Sequence, residues 1–411
     1  EHIGRDPAER EVLTEEVELG EVINGIQRRI LQVEDGPATD ELRERLMLVE
    51  DAYRDLRGRI GAKHGGLLPL VEIRPVEPSS LQGFLDENTT LFDYFVTAED
   101  GLYVWAINRA KIHFEKIDLT RQELRGLVFS FLQAIRGKDK RKIETLSRNA
   151  YDVLLRPVIP FVSGDRIGFV PDDALLYLPF AATNYRGRFL AEGFRIFHLP
   201  GTGLLEGAVK RVSAAPQDVL AFGKPDLDNE ALDLDHGLLE IERIRKRFSG
   251  TTAVVGEEAT EANAAERAAG YDLLHFAVRG QFVPEDPLDS ALLLTPANGR
   301  DGRLTAREIF DLRFDARAVV LTGCDPMPEA DPEGKGWIAM HRALLRTGSA
   351  SVVSTLWFVA DRAAVHGLDI FYRQLGKREP VADALQAMQL QMIREGQPPY
   401  AWAAFVLTGK Y

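Results

Sequence analysis

A single cysteine, Cys324, in 411 residues leaves no partner for an intrachain disulfide and no material for a cysteine-rich metal site. That scarcity fits a reducing, cytoplasmic setting. No stretch is long and apolar enough to cross a bilayer. No signal peptide opens the chain, whose first residues follow a charged helical pattern. It begins at Glu1 rather than methionine, as expected of a fragment of a longer protein. Positive charge is also scarce: 50 Lys and Arg against 63 Asp and Glu give a net charge of −13. Nucleic-acid binding draws on clustered basic residues, and the clusters at 138–142 and 243–247 are short. The second lies on a helical pattern with Leu239, Ile241, Ile244 and Phe248 as its apolar side, so it reads as a solvated face. A Gly-x-x-x-x-Gly-Lys-Ser/Thr phosphate loop is missing, and Gly201-Thr-Gly203 alone is a weak dinucleotide signal. No His/Glu cluster has metal-ligand spacing. The expectation is a protein with no cofactor, no metal, no nucleic-acid partner and no membrane segment.

What remains is an ordinary globular composition, 45% hydrophobic and 27% charged, long enough for two or three packed units. Residues 1–60 predict a helical hairpin. Val17, Leu19, Val22, Ile23, Ile26 and Ile30 fall at helical spacing, as do Leu42, Leu46, Val49, Tyr53 and Leu56. Gly36-Pro37 breaks the two, with Asp40 as the cap of the second. No second copy signals a repeat array. Residues 61–80, with Gly, Pro and Ser, read as a linker. Residues 81–214 read as a mixed α/β unit that opens with a hairpin around Glu99-Asp-Gly101. Residues 215–411 alternate strands and helices. Short Val/Leu/Ala-rich runs between helices mean a largely parallel sheet covered on both faces, so the expected fold class is α/β.

In such sheets the site lies at the carboxyl ends of the strands. Two strand ends carry chemistry. One is Leu273-Leu-His-Phe-Ala-Val-Arg-Gly280; the other is the run from Arg317 to Asp325 that ends in Cys324. Strict alternation puts His275 on the same face as Arg279, about 6–7 Å deeper. A lone cysteine closing a buried strand is also the ordinary position of a small core residue. His275 reads as a core histidine, and Trp357 and Trp402 as core anchors. The loop from Asp325 to Gly336, rich in proline and acids, reads either as a mobile flap whose charge would attract a basic ligand or as a plain solvated loop.

These residues resemble the CHAT domain, a caspase-like module related to separase and often fused to tetratricopeptide repeats. The resemblance rests on Val170-Pro-Asp-Asp-Ala-Leu-Leu-Tyr-Leu-Pro-Phe180, His275-Phe-Ala-x-x-Gly280, Ser290-Ala-Leu-Leu-Leu294 and Val320-Leu-Thr-Gly-Cys324. It continues through Gly348-x-Ala-Ser-Val-Val-Ser-Thr-Leu-Trp357, Phe371-Tyr372 and Pro399-Tyr-Ala-Trp-Ala-Ala-Phe-Val406, and it spans roughly residues 80–411. It implies a caspase-like sheet in two halves, an inactive one at 81–214 and a catalytic-type one at 215–411, with a repeat region upstream. It also implies a Cys–His dyad. Cys324 matches the nucleophile, but the dyad histidine position is Arg279, and His275 matches the other histidine of that pattern. Backbone N–H groups of Gly280 and Cys324 match the oxyanion donors, and Asp289 and Ser290 would shape a substrate pocket.

The exchange at 279 is a chemical one. A dyad base takes the thiol proton and later gives a proton to the leaving amine. Guanidinium has no free lone pair and a pKa above about 12. Its charge would still favour a thiolate. Two readings follow. One is a pseudopeptidase, a scaffold that binds a protein or peptide partner without cleaving it. The other is an active cysteine endopeptidase in which His341 or His275 replaces the base. The resemblance places either in bacterial defence or cell-death circuits.

Overall fold

The computed structural model describes residues 37–63, 78–97, 101–205, 218–227, 229, 234, 236–326, 329–359 and 362–411, with single positions between 15 and 30. It contains two units, Glu1–Pro75 and Val76–Tyr411. Most of the expected linker, and the expected boundary at 214/215, lie outside the described residues.

In the first unit α1 spans Pro37–Lys63, and Glu15, Leu19, Val22, Ile23, Ile26, Arg29 and Ile30 are helical. Ile26 and Leu56 are buried, and Arg59 pairs with Glu15 at 2.8 Å. The helix starts at Pro37, three residues before the expected cap. Proline suits a first turn, where its missing N–H has no intrahelical partner to lose, so Asp40 lies inside the helix.

The second unit opens with α2 (Pro78–Phe84) and is organised by one sheet. Its strands are β1 (Thr89–Val96), β2 (Leu102–Asn108), β3 (Ile112–Ile117), β4 (Arg166–Val170) and β5 (Arg195–His198), then β6 (Asp218–Pro225) and β7 (Gly250–Gly256). They continue with β8 (Leu273–Gln281), β9 (Ala291–Leu293), β10 (Arg303–Thr305), β11 (Ala318–Gly323), β12 (Ser351–Thr355) and β13 (Phe405–Gly409). The order is β10-β9-β8-β11-β12-β13-β5-β4-β1-β2-β3, with β6 against both β8 and β7. The β6–β8–β11–β12 and β5–β4–β1 neighbours run parallel. The flanking hairpins and β13 against β12 are antiparallel. This is the largely parallel α/β sheet expected.

The buried strands show why they read as continuous apolar runs. Leu274, Phe276, Val319 and Leu321 pack with Ala264 of α6 (Glu261–Arg267) and with Met340 and Leu344 of α7 (Lys335–Arg346). Their alternates Leu273, Val320 and Val353 pack with Ile244 of α5 (Gly237–Arg247) and with Leu368 and Phe371 of α8 (Arg362–Leu375). Each strand therefore has no solvent face. Two helices cover the other end of the sheet. α3 (Arg121–Arg136) starts with a Thr120/Glu123 capping box and buries Leu124, Val128, Phe131 and Ile135, and α4 (Lys140–Ala150) follows. α9 (Val381–Arg394) leads towards β13.

The short strands β5, β10 and β13 were not expected. β13 joins the β6–β12 strands to the β1–β5 strands: it lies antiparallel to β12 and meets β5 through Thr408 beside His198. Trp337, Trp357 and Trp402 are each no more than 1% exposed, as core anchors are.

Candidate functional site

The sheet brings Arg279 and Cys324 together. Arg279 is the register neighbour of Gly323, and Cys324 follows directly. Gly323 has to be a glycine, because a Cβ there would stand 2.1 Å from the Val278 carbonyl oxygen. Gly280 lies against the thiol: a Cβ on it would be 3.2 Å from the sulfur. The Cys324 carbonyl accepts a 2.9 Å hydrogen bond from Thr355 at the end of β12. Phe282 packs beside Gly280, and Ser290 accepts a hydrogen bond from the Val283 N–H at 3.0 Å.

One register detail corrects the reading of β8. Phe276 faces Leu321, yet Arg279 faces Gly323. Three steps on β8 match two on β11, so one residue is inserted. A bulge of this kind shifts the alternation beyond it. Arg279 is in step with Phe276 and not with His275. Its guanidinium lies 4.3 Å from the centre of the Phe358 ring, within cation–π range.

His275 has other company. Its Nδ1 is 2.8 Å from the Tyr372 hydroxyl, and its Nε2 is 3.2 Å from Glu240. Glu240 also accepts from Thr322 at 2.7 Å. Tyr372 and His275 thus hydrogen-bond in the core, as do Thr322 and Glu240, while His275 Nε2 approaches Glu240 without hydrogen-bond geometry; buried polar groups persist where they are paired in this way. Only the core position of His275 was read from the sequence; Glu240 and Tyr372 carried no signal that linked them to it. Asp289 is paired with Arg303 at 2.9 Å, so its charge is already met within the chain.

His341 points to the middle of the sheet. Its Nδ1 is 2.9 Å from the Thr408 hydroxyl of β13, and its ring lies 3.8 Å from Trp337. Among the described residues its Nε2 and both ring nitrogens of His198 have no hydrogen-bond partner. Burial pushes His198 down to about 4. Burial and then His198 push His341 down to about 3. Both are neutral in the fold, whereas unfolded histidines take up protons below about 6.5. The stability that comes from neutral rings is therefore complete above that pH and is lost as pH falls towards 4, at about 1.4 kcal/mol per pH unit for each ring. His198→Leu is expected to leave neutral-pH stability intact and to flatten the acid arm by about that slope. Urea unfolding across a pH series measures it, and an unchanged slope would show that His198 is not held neutral.

The loop after Cys324 is tied down rather than a free flap. Its described part contacts the segment that follows β4. Tyr177 donates to the Asp331 carbonyl at 2.7 Å, and the Asp331 carboxylate caps α7 through the Gly336 N–H at 2.8 Å. Glu333 pairs with Lys335 at 2.9 Å and with Arg125 at 3.4 Å. Arg125 also holds the buried Asp173 with two hydrogen bonds of 2.7 and 2.6 Å. Asp325, next to the cysteine, is 3.5 Å from Arg136 of α3. Asp325 and Glu333 thus have basic partners within the chain, and Asp331 is held by a helix N–H.

The thiol itself is buried, 1% exposed. Burial, with Asp325 adding to it, pushes its pKa up to about 12. The expected thiolate-favouring effect of Arg279 does not win against these two. Among the described residues no group of three or more His, Cys, Asp or Glu could hold a metal, and no helix is long and apolar enough to cross a membrane.

Residues 144–410 match the family model described as CHAT domain. No curated protein sequence matches the chain. Among solved structures, the chain is similar to two of the Saccharomyces cerevisiae separase–securin complex. One, at 3.0 Å resolution, has a TM-score of 0.41 and 13% identity, covering 95% of this chain and 27% of that one. The other, at 2.6 Å, has a TM-score of 0.39 and 15% identity, covering 98% and 27%. The chain therefore spans 27% of the length of the chains it matches there.

Proposed function

This chain belongs to the CHAT domain family, and from that premise we propose that it is a pseudopeptidase, a caspase-like scaffold that binds a protein or peptide and signals without cleaving it. The observation that carries this reading is Arg279 beside Cys324. A group that is always protonated cannot accept the thiol proton and cannot return one to a leaving amine. Loss of such a group lowers rate by roughly 10² to 10⁴. The raised thiol pKa acts in the same direction, because the thiolate is the nucleophile. His275 and His341 are engaged by Tyr372 and Glu240, and by Thr408, which supports leaving both out of the chemistry.

In this reading 81–214 is the inactive half and 215–411 the catalytic-type half. The backbone donors of Gly280 and Cys324, with the half-buried Asp289 at the rim and the buried Ser290 holding the Val283 N–H, are a place for a peptide backbone. The setting is a cytoplasmic defence or cell-death circuit of a bacterium, with a repeat region upstream to sense the trigger. The test is a screen of the purified chain against peptide and protein libraries, with Cys324→Ala as control. No turnover above the control is expected. Turnover that disappears in Cys324→Ala would sink the proposal and establish the chain as a working endopeptidase. Running Arg279→His in parallel shows whether the absent base alone accounts for silence.

A further inference from the structure

The outer hairpins carry an aromatic face that the cysteine site does not use. Cross-strand pairing sets Phe95 beside Tyr103 and Tyr103 beside Lys116, then Asp93 beside Trp105 and Trp105 beside Phe114. Directly opposed residues share a face. Phe95 and Phe114 are 56% and 48% exposed, and Ile112, in the next row, is 41% exposed. The rings form a strip: Tyr103 stacks on Phe114 at 5.8 Å, and Trp105 lies 5.3 Å from Phe114. Tyr94 points the other way and donates to the Leu154 carbonyl, so the segment after α4 packs on the opposite face of these strands. β3 is an edge strand.

Asp93 makes this strip more than an apolar patch. Its side chain is half-buried, and among the described residues its carboxylate has neither a hydrogen bond nor an ion pair. The charged group that acts on it is Asp172, which raises its pKa further after burial has done so, to about 6. Asp172 itself receives the Val96 N–H at 2.8 Å and feels Arg121. A carboxylate held among rings without a cation is the arrangement that a cation completes, since ammonium and guanidinium groups bind both aromatic faces and carboxylates. The strip already attracts one: the Lys116 ammonium lies 5.9 Å from the Tyr103 ring centre.

We propose that the Asp93–Trp105–Phe114 face is a docking surface for a basic peptide segment of a protein partner, whose lysine or arginine side chain lies across Trp105 and pairs with Asp93. The proposal is independent of whether Cys324 turns over a substrate.

Trp105 gives the readout, because the other three tryptophans are fully buried. An acetylated Gly-Ser-Lys-Arg-Lys-Ser-Gly amide is titrated into the full chain at pH 7.5 while tryptophan emission is followed. Saturable quenching is expected, weakened about tenfold or more in Asp93→Asn and in Phe114→Ser. The same peptide with acetylated lysines and citrulline for arginine should not bind. Affinity should fall as pH drops through about 6 and Asp93 gains its proton, with Asp172 and Lys116 as the other charges facing it. Asp93→Asn keeps the shape of the side chain, and thermal melts confirm that both variants are folded. Equal binding by Asp93→Asn would overturn the proposal, since the peptide would then be following the overall negative charge. So would a concentration-dependent dimer abolished by Phe114→Ser with no peptide bound, which would assign the face to a second copy of the chain.

Discussion

Cys324 is expected to react with iodoacetamide about a thousandfold more slowly in the native chain than in the unfolded one at pH 7.5. The estimate follows from the thiolate fraction. An ordinary cysteine at 9.0 raised to about 12 loses three units, or about 10³ in thiolate at any pH below both values. Burial to 1% exposure adds a steric barrier, so the figure is a lower limit. With one cysteine in the chain, intact mass in native buffer and in urea reads the ratio directly. The native rate should also keep rising about tenfold per pH unit beyond 9, where a free thiol levels off. Comparable native and unfolded rates would mean that Arg279 holds the sulfur as a thiolate. That result would remove the main electrostatic support for a silent site.

Arg125→Ala is expected to cost about 3 kcal/mol of stability. Asp173 is buried, its side chain 3% exposed, and Arg125 supplies its two short charged contacts, beside the Ala174 N–H at 2.7 Å. Removing one member of a buried ion pair leaves an uncompensated charge, at a cost of about 3–5 kcal/mol. The low end applies because Arg121 remains 3.3 Å from the same carboxylate and Arg125 is partly exposed. Glu333 loses a partner as well, which loosens the loop after Cys324. Adding Asp173→Asn should recover much of the loss. Asparagine carries no charge to bury, and it tolerates the left-handed backbone at this position, φ 53°. Urea unfolding of the two single variants and the double variant measures the coupling. Additive losses would show that the two residues act separately.

The sequence made the parallel strands readable because each is a Val/Leu/Ala run between helices, and burial on both faces leaves little else; their order in the sheet is seen only in the fold. It also placed Arg279 and Cys324 at carboxyl ends of strands; that these strands are neighbours comes from the fold. The bulge in β8 was out of reach: Ala277-Val278 reads as ordinary alternation, and only the pairing with β11 shows the extra residue. The partners of the loop acids were hidden for a related reason. Arg125 and Glu333 are 208 positions apart, and a side-chain pair at that distance leaves no local pattern. Acidity near the cysteine suggested a flap open to ligands; in the fold Asp325, Asp331 and Glu333 are engaged by α3 and α7. The thiol's environment was misjudged in the same way, because the charge of Arg279 is visible in a sequence and desolvation is not.

β13 comes after every other strand in the sequence, yet it sits in the middle of the sheet. During synthesis the β1–β5 strands and the β6–β12 strands can assemble before Phe405–Gly409 leaves the ribosome. Until then β5 and β12 each present an unsatisfied edge. The strand that closes the gap need not come from the same molecule, since its register asks only for a copy of Phe405–Gly409. Exchange of that segment between two nascent chains is therefore the characteristic misassembly of this architecture. High-level expression, which brings incomplete chains close together, is where swapped dimers should collect.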